Sequence, residues 1–307
     1  MRLVFLGASQ FGMRCLRTAL AAPACEVAGV VTAPRTFSIS YRPGGVTNVL
    51  HADAHEVCTA AEVPCVDLPA AGMKDEELFA QVKAWRPDAF IVAGWYHMVP
   101  KAWRALAPAY GLHASLLPHY RGGAPLVWAI IQGERQTGIT LFQFDDGVDT
   151  GPVLAQASTP IAPEDTIATL YARIEEIGEG LLRDTLPRLA DGTAVARAQD
   201  PAEGSSFPQR GPEDGLIDWT RPAARLYDFV RAQTKPYPGA FFLDRGTKVV
   251  VWSAGVATDT KVLPPLAPGE IRRIGNLVLA GAGAGTALEL RQVQVEGRDM
   301  EATGRWA

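Results

Sequence analysis

The sequence predicts an α/β protein: a Rossmann-like, mostly parallel sheet domain followed by a small OB-like β-barrel domain at the carboxyl end. Three observations carry this. Short, β-rich apolar runs alternate with helix-length amphipathic stretches through the first half, the pattern of a parallel sheet with crossover helices. Between Asp200 and Gly215 the composition turns to Pro, Gly, Ser, Gln and Asp, as in a surface linker. Beyond it come several short strands punctuated by glycine, which a small barrel or sandwich accommodates most economically. At 307 residues the chain is long enough for two domains. The expected divisions are residues 1–200, a linker at 201–215, and 216–307.

In chain order, Leu3–Leu6, Val27–Thr32 and Ala89–Ala93 read as strands bounded by turn residues. The first connection, Gly7-Ala8-Ser9-Gln10-Phe11-Gly12, sets small residues between a strand and a helix. Its amides could bind an anion or simply let the chain turn; it is neither a G-x-G-x-x-G fingerprint nor a P-loop. Thr137–Phe144 and Pro152–Thr159 flank a bend rich in Gly and Asp, and Ile167–Leu189 follows as a long helix. After the linker, Pro222–Ala232 reads as a helix, and Lys248–Ser253, Gly269–Ile274, Asn276–Ala280 and Ala287–Val295 as strands.

Hydrophobic residues at 48% and charged residues at 20% are ordinary globular usage, so the chain buries a core. Lys+Arg total 29 against 33 Asp+Glu, a balance that argues against a surface built to hold polyanions. The four cysteines, Cys15, Cys25, Cys58 and Cys65, match no zinc or CxxC spacing and read as small buried hydrophobes in a reducing compartment. No segment reaches the ~20 apolar residues of a membrane span. A soluble, cytoplasmic protein with no membrane partner is expected.

Five histidines are the first place to look for chemistry. His51 and His55 stand four apart on an expected helix, but no third ligand accompanies them, so they read as a solvated face and no metal is expected. His97, just past a strand end beside Trp95 and Tyr96, is either an active-site rim residue or an ordinary loop residue. His113 is different: a strand end delivers it to a loop shaped by proline and glycine, where open α/β sheets place reactive groups. Asp149 follows in Asp145-Asp146-Gly147-Val148-Asp149-Thr150-Gly151, a second glycine-shaped loop. A carboxylate facing an imidazole fixes its tautomer and stabilises the imidazolium; turn chemistry alone would also put an Asp there.

His113-Ala114-Ser115-Leu116-Leu117-Pro118, Tyr120-Arg121-Gly122, Ala124-Pro125, Thr137-Gly138-Ile139-Thr140 and Asp149-Thr150-Gly151 together resemble the formyltransferases that use 10-formyltetrahydrofolate. Ile217-Asp218-Trp219 and Pro236-Tyr237-Pro238-Gly239-Ala240-Phe241 are similar to the carboxyl-terminal domain shared by methionyl-tRNA and amino-sugar formyltransferases. The resemblance covers nearly the whole chain. It implies transfer of a formyl group from N10 of the folate to an amine, with His113 as the proton-transfer and oxyanion-facing group and Asp149 orienting it. The family's oxyanion-binding Asn falls at Gly111. The resemblance places the pteridine against Trp95, Tyr96 and Met98 and the loop holding Asp145, Gly147 and Val148, and the acceptor amine near Ser9, Gln10 and Phe11.

For the acceptor, the stretch Pro34–Pro43 after the second strand holds only two arginines, Arg35 and Arg42, a poor clamp for phosphates. From Pro208 onward there are 13 Lys/Arg against 11 Asp/Glu, and before it 16 against 22. These counts favour a small amine, such as an amino-sugar nucleotide or an amino-acid-derived metabolite, over a nucleic acid. Two alternatives are methionyl-tRNA formylation and a folate-binding protein whose catalysis is lost or altered at Gly111.

Overall fold

A computed structural model describes residues 1–39, 42–257 and 266–306. Two compact units divide the chain. The first comprises Met1–Gly122, Gly138–Thr159 and Arg173–Ser206, the second Gly123–Thr137, Pro160–Ala172 and Phe207–Ala307.

The chain begins with β1 (Arg2–Leu6), α1 (Gln10–Leu20), β2 (Glu26–Thr32), the hairpin β3 (Thr36–Ile39) and β4 (Arg42–Thr47), α2 (His55–Ala60) and β5 (Cys65–Asp67). It continues with α3 (Glu76–Ala84), β6 (Ala89–Val92), α4 (Lys101–Leu106), β7 (Ala109–His113), β8 (Arg121–Gly122), α5 (Pro125–Gln132), β9 (Gln136–Gln143), β10 (Val153–Pro160), α6 (Ile167–Ala190) and β11 (Ser206–Phe207). Seven strands form one sheet in the order β10-β9-β7-β6-β1-β2-β5. The pairs β7–β6, β6–β1, β1–β2 and β2–β5 are parallel, and β9 runs antiparallel to β7.

Alternation along β1 explains why this sheet is covered on both faces. Leu3 and Phe5 join Met13, Cys15 and Leu16 of α1 in one apolar cluster, while Val4 and Leu6 join Leu78 and Val82 of α3 and Trp103 of α4 in another. All four β1 side chains are fully buried, each contributing about 1.5–3 kcal/mol of hydrophobic stabilisation. A strand buried on both faces reads as an unbroken apolar run, which is why it was visible in sequence. The register sets Leu6 beside Val92 and Val92 beside Gly111, so the segments after β1, β6 and β7 leave the sheet at one edge.

In the second unit come α7 (Ala223–Arg231), β12 (Ala240–Asp244), β13 (Thr247–Val256), β14 (Ile271–Ile274), β15 (Leu277–Ala282), β16 (Thr286–Val295), β17 (Arg298–Glu301) and α8 (Ala302–Arg305). The strands pair antiparallel along the path β12-β13-β16-β15-β14, with β17 on β16. Leu226 and Val230 of α7 pack with Val249, Val251, Leu288 and Leu290 to form its core. The parallel-dominated first sheet and the antiparallel second one are the two classes the sequence predicts.

Three local features differ from the sequence reading. Part of the Pro34–Pro43 stretch forms the β3–β4 hairpin, with Ser40 and Tyr41 outside the described residues. Residues of the expected linker pair with another strand, β11 lying on β8. His51 and His55 do not share a helix: α2 begins only at His55, whose backbone N–H donates to Asp53 Oδ1 at 2.9 Å, while His51 bridges Ser9. Among the described residues, no helix is long and apolar enough to cross a membrane, and no three His, Cys, Asp or Glu side chains are grouped to hold a metal ion.

Candidate active site

His113 closes β7, opposite Thr140 of β9. Its Nδ1 lies 3.4 Å from Asp149 Oδ2, with the two side chains 11% and 20% exposed. That separation exceeds an ordinary N–H···O bond but is close enough for ion pairing, and the partial burial strengthens it over a surface pair. Nε2 lies 2.7 Å from the carbonyl oxygen of Tyr120. A carbonyl can only accept, so Nε2 carries a proton in this arrangement. An imidazole held between a carboxylate and a carbonyl can take up a proton and return it, with the carboxylate stabilising the charged form.

The loops are fixed by buried polar contacts. Asp149 adopts φ 54° and its Oδ2 accepts the Gly122 backbone N–H at 2.8 Å. Gln199 Nε2 donates to the carbonyls of Asp149 and Gly151 at 2.8 and 2.6 Å, and its Oε1 accepts from Arg121. On the histidine side, the buried Thr140 hydroxyl donates to Ser115 O at 2.7 Å and accepts from Leu117 N and Gln156 Nε2. Sequence reasoning missed Gln156 and Gln199 and held Thr140 only as part of a motif, since nothing in a single strand or linker shows which distant loop it holds.

Asp145 serves its own loop: Oδ1 accepts from Gly147 N at 3.0 Å and Thr150 Oγ1 at 2.6 Å. A Cβ at Gly147 would lie 2.0 Å from Thr150 Oγ1, so the turn needs glycine. Val148 is exposed at its tip. Asp146 faces outward to Arg104, 2.7 Å away, and this guanidinium holds its carboxyl below the usual range. Gly111 sits under a ring: a Cβ there would lie 2.2 Å from Phe144 Cε1 and 2.5 Å from Cζ. Phe144 therefore fills the volume that any side chain at 111 would need.

After β6, Gly94 adopts φ 60°, and a Cβ on it would strike Ser9 Oγ at 1.8 Å. The first and fourth parallel connections thus touch, with Ala8 N donating to Gly94 O at 3.2 Å. Ser9 is buried and caps α1, accepting from Gly12 N at 3.1 Å, while Phe11 packs against Gly178 of α6. Of Ser9, Gln10 and Phe11, only Gln10 is exposed. Trp95 and Phe37 flank the His97 ring, with centroids 5.3 and 4.8 Å away, and burial lowers the His97 pKa. Trp95 Nε1 and His97 Nε2 are buried without hydrogen-bond partners among the described residues. Met98 is 64% exposed. Asn48, also missed from sequence, is buried: Nδ2 donates to Ala8 O at 2.9 Å, and Oδ1 accepts from Leu50 N at 2.9 Å and Tyr96 Oη at 3.2 Å. It ties three loops together.

The arrangement is that of an α/β protein with an imidazole–carboxylate pair at its sheet edge. Residues 1–186 match the family described as formyl transferase, and residues 210–307 the formyl transferase C-terminal domain. The chain belongs to the formyl transferase family and is a formyltransferase. It is 40% identical over 306 residues to a methionyl-tRNA formyltransferase of Koribacter versatilis, covering 97% of this chain and 92% of the relative. A second methionyl-tRNA formyltransferase, from Anaeromyxobacter dehalogenans, is 36% identical over 304 residues, covering 98% and 94%. In fold it is similar to an N-formyltransferase from Helicobacter canadensis solved with folinic acid and dTDP-3-aminofucose, at TM-score 0.68 and 15% identity, covering 94% of this chain and 98% of that one.

These relatives correct one expectation. The charge counts and the weakly basic Pro34–Pro43 stretch favoured a small amine and argued against a nucleic acid, but the two relatives at 40% and 36% identity over nearly the whole chain are methionyl-tRNA formyltransferases. Net charge describes the long-range field of the protein, whereas an acceptor is chosen by local contacts.

Proposed function

We propose that this protein is a methionyl-tRNA formyltransferase, moving the formyl group of 10-formyltetrahydrofolate to the α-amine of methionine carried on tRNA. The observation that carries this is the 40% identity with the Koribacter versatilis enzyme over 306 residues. The folate supplies an activated formyl group on N10. Two unpartnered buried donors or acceptors, Trp95 Nε1 and His97 Nε2, and exposed apolar atoms of Met98 and Val148 suit a flat heterocycle with polar edges. Tyr96 and the Asp145–Gly147 turn are assigned to the same site on the family resemblance.

For the transfer, His113 turns its Nε2 from the Tyr120 carbonyl and keeps a proton on Nδ1 beside Asp149; Nε2 then takes the proton of the attacking ammonium and returns one to the departing N10, while facing the developing oxyanion. Asp149 stands 3.4 Å behind it and stabilises the imidazolium during the transfer. Gln10, exposed at the start of α1, faces the acceptor. The chemistry is assigned to residues 1–200, joined through 201–215 to residues 216–307, and a cytoplasmic setting accords with four free thiols.

The test is competition between acceptors. With 10-formyltetrahydrofolate as donor, initiator methionyl-tRNA should be formylated with a kcat/KM far above that for dTDP-3-aminofucose or free methionine. Preference for the amino-sugar nucleotide, or no product on the tRNA, would overturn the assignment.

A further inference from the structure

A guanidinium outside the imidazole–carboxylate pair joins the two loops assigned to the folate. Arg104 lies in α4, just beyond the loop that follows β6, and its side chain is only 16% exposed. Its Nε donates to the Val99 carbonyl oxygen at 3.2 Å, and its Nη2 donates to Asp146 Oδ1 at 2.7 Å, 42 residues further along the chain. One planar group therefore spans both loops, holding the backbone of the first and a carboxylate of the second. Apolar packing brings the same segments together: Trp95 and Phe144, the residue before Asp145, pack on a cluster that contains Val99 and Trp103 of α4. Asp145 closes its own turn through Gly147 N and Thr150 Oγ1, which leaves Asp146 directed at α4, where Lys101 Nζ also stands 3.6 Å from its Oδ2.

We propose that Arg104 is a positioning residue for the folate donor: by tying Asp146 to the Val99 carbonyl it sets the spacing between loop 94–100 and turn 145–148, the two walls assigned to the pteridine. This rests on the folate reading given above. Arg104 acts without touching the donor. It keeps both walls in place before binding, so that less ordering is left for the ligand to impose. A lysine at 104 carries the same charge but has no fork with which to hold a carbonyl and a carboxylate at two fixed positions. Asp149 is braced separately, by Gly122 N and Gln199 Nε2, so the clamp acts on donor affinity ahead of proton transfer.

Folinic acid is the probe, titrated calorimetrically into the full chain with no acceptor present, so the result does not depend on which amine is formylated. Asp146 is 70% exposed, and an ion pair so exposed shifts an equilibrium by at most about fivefold. Arg104→Lys and Asp146→Ala should each bind folinic acid about two- to fivefold more weakly than wild type. The double variant should bind no more weakly than the weaker single one, because either change breaks the same bond. In turnover the loss should fall on the KM for the donor rather than on kcat. If Arg104 and Lys101 instead held the acidic tail of the folate directly, Asp146→Ala would free both cations and tighten binding. Tighter binding in that variant, unchanged affinity in both, or a lysine that serves as well as arginine would each overturn the inference. A wild type that binds no folinic acid would overturn the folate reading itself, and the clamp with it.

Discussion

Replacing Gly111 by Asn would install the amide that the family resemblance places two residues before His113. The structure predicts that this single change fails. Its Cβ would lie 2.2 Å from Phe144 Cε1, against an ordinary carbon contact of about 3.5–4.0 Å, so the ring must retreat by more than ~1 Å. Phe144 gives way only by breaking its packing: its ring lies 5.1 Å from that of Phe142 and packs against the Leu117, Phe142 and Val153 cluster. Overpacking of this kind costs about 1–3 kcal/mol, a fall in Tm of roughly 2–10 °C for a protein of this size. Thermal unfolding and single-turnover formyl transfer should show Gly111→Asn less stable and no faster than wild type. In Gly111→Asn/Phe144→Ala the ring is gone, and the two substitutions should couple favourably by at least ~1 kcal/mol in stability. A Gly111→Asn protein as stable as wild type and faster would refute the reasoning.

Three further outcomes follow from named contacts. Asp149→Asn keeps the shape of the side chain but removes the charge beside His113, and should lower kcat by about 10²-fold with little change in KM, measured under saturating donor. Asn48→Ala leaves Leu50 N without its acceptor, and takes one donor from Ala8 O and one acceptor from Tyr96 Oη; denaturant unfolding should show a loss of about 1–3 kcal/mol, and an unchanged midpoint would mean that water replaces the amide. His97 binds its proton less readily folded than unfolded because it is buried. The unfolded chain therefore takes up the extra proton, and stability should fall as pH drops below 6.5 toward the folded-state pKa, with a slope of at most ~1.4 kcal/mol per pH unit. His97→Phe should flatten that slope.

The parts legible in sequence were those whose signal is local. Leu3–Leu6 and Ala89–Val92 announce buried parallel strands because both faces need apolar side chains, and α6 shows itself by helical spacing over a long span. His113 and Asp149 stood out as polar residues at a strand end and in a glycine-shaped loop. What sequence could not show were side chains whose partners lie far along the chain. Asn48 is 40 residues from Ala8 and Gln199 is 50 from Asp149, and no periodicity encodes such pairs. Gly111 could be seen to lack an amide, but only the fold reveals that Phe144 occupies its place. The His51–His55 spacing suggested one helix, yet the bridge from His51 to Ser9 holds it outside α2.

The account rests most directly on the imidazole at the end of β7. Wild type and His113→Ala should be compared in single-turnover formylation of initiator methionyl-tRNA, with both proteins first shown to unfold at similar temperatures. The account predicts that the variant loses about 10²–10⁴ in rate while still binding the tRNA. A variant that formylates as fast as wild type would contradict it.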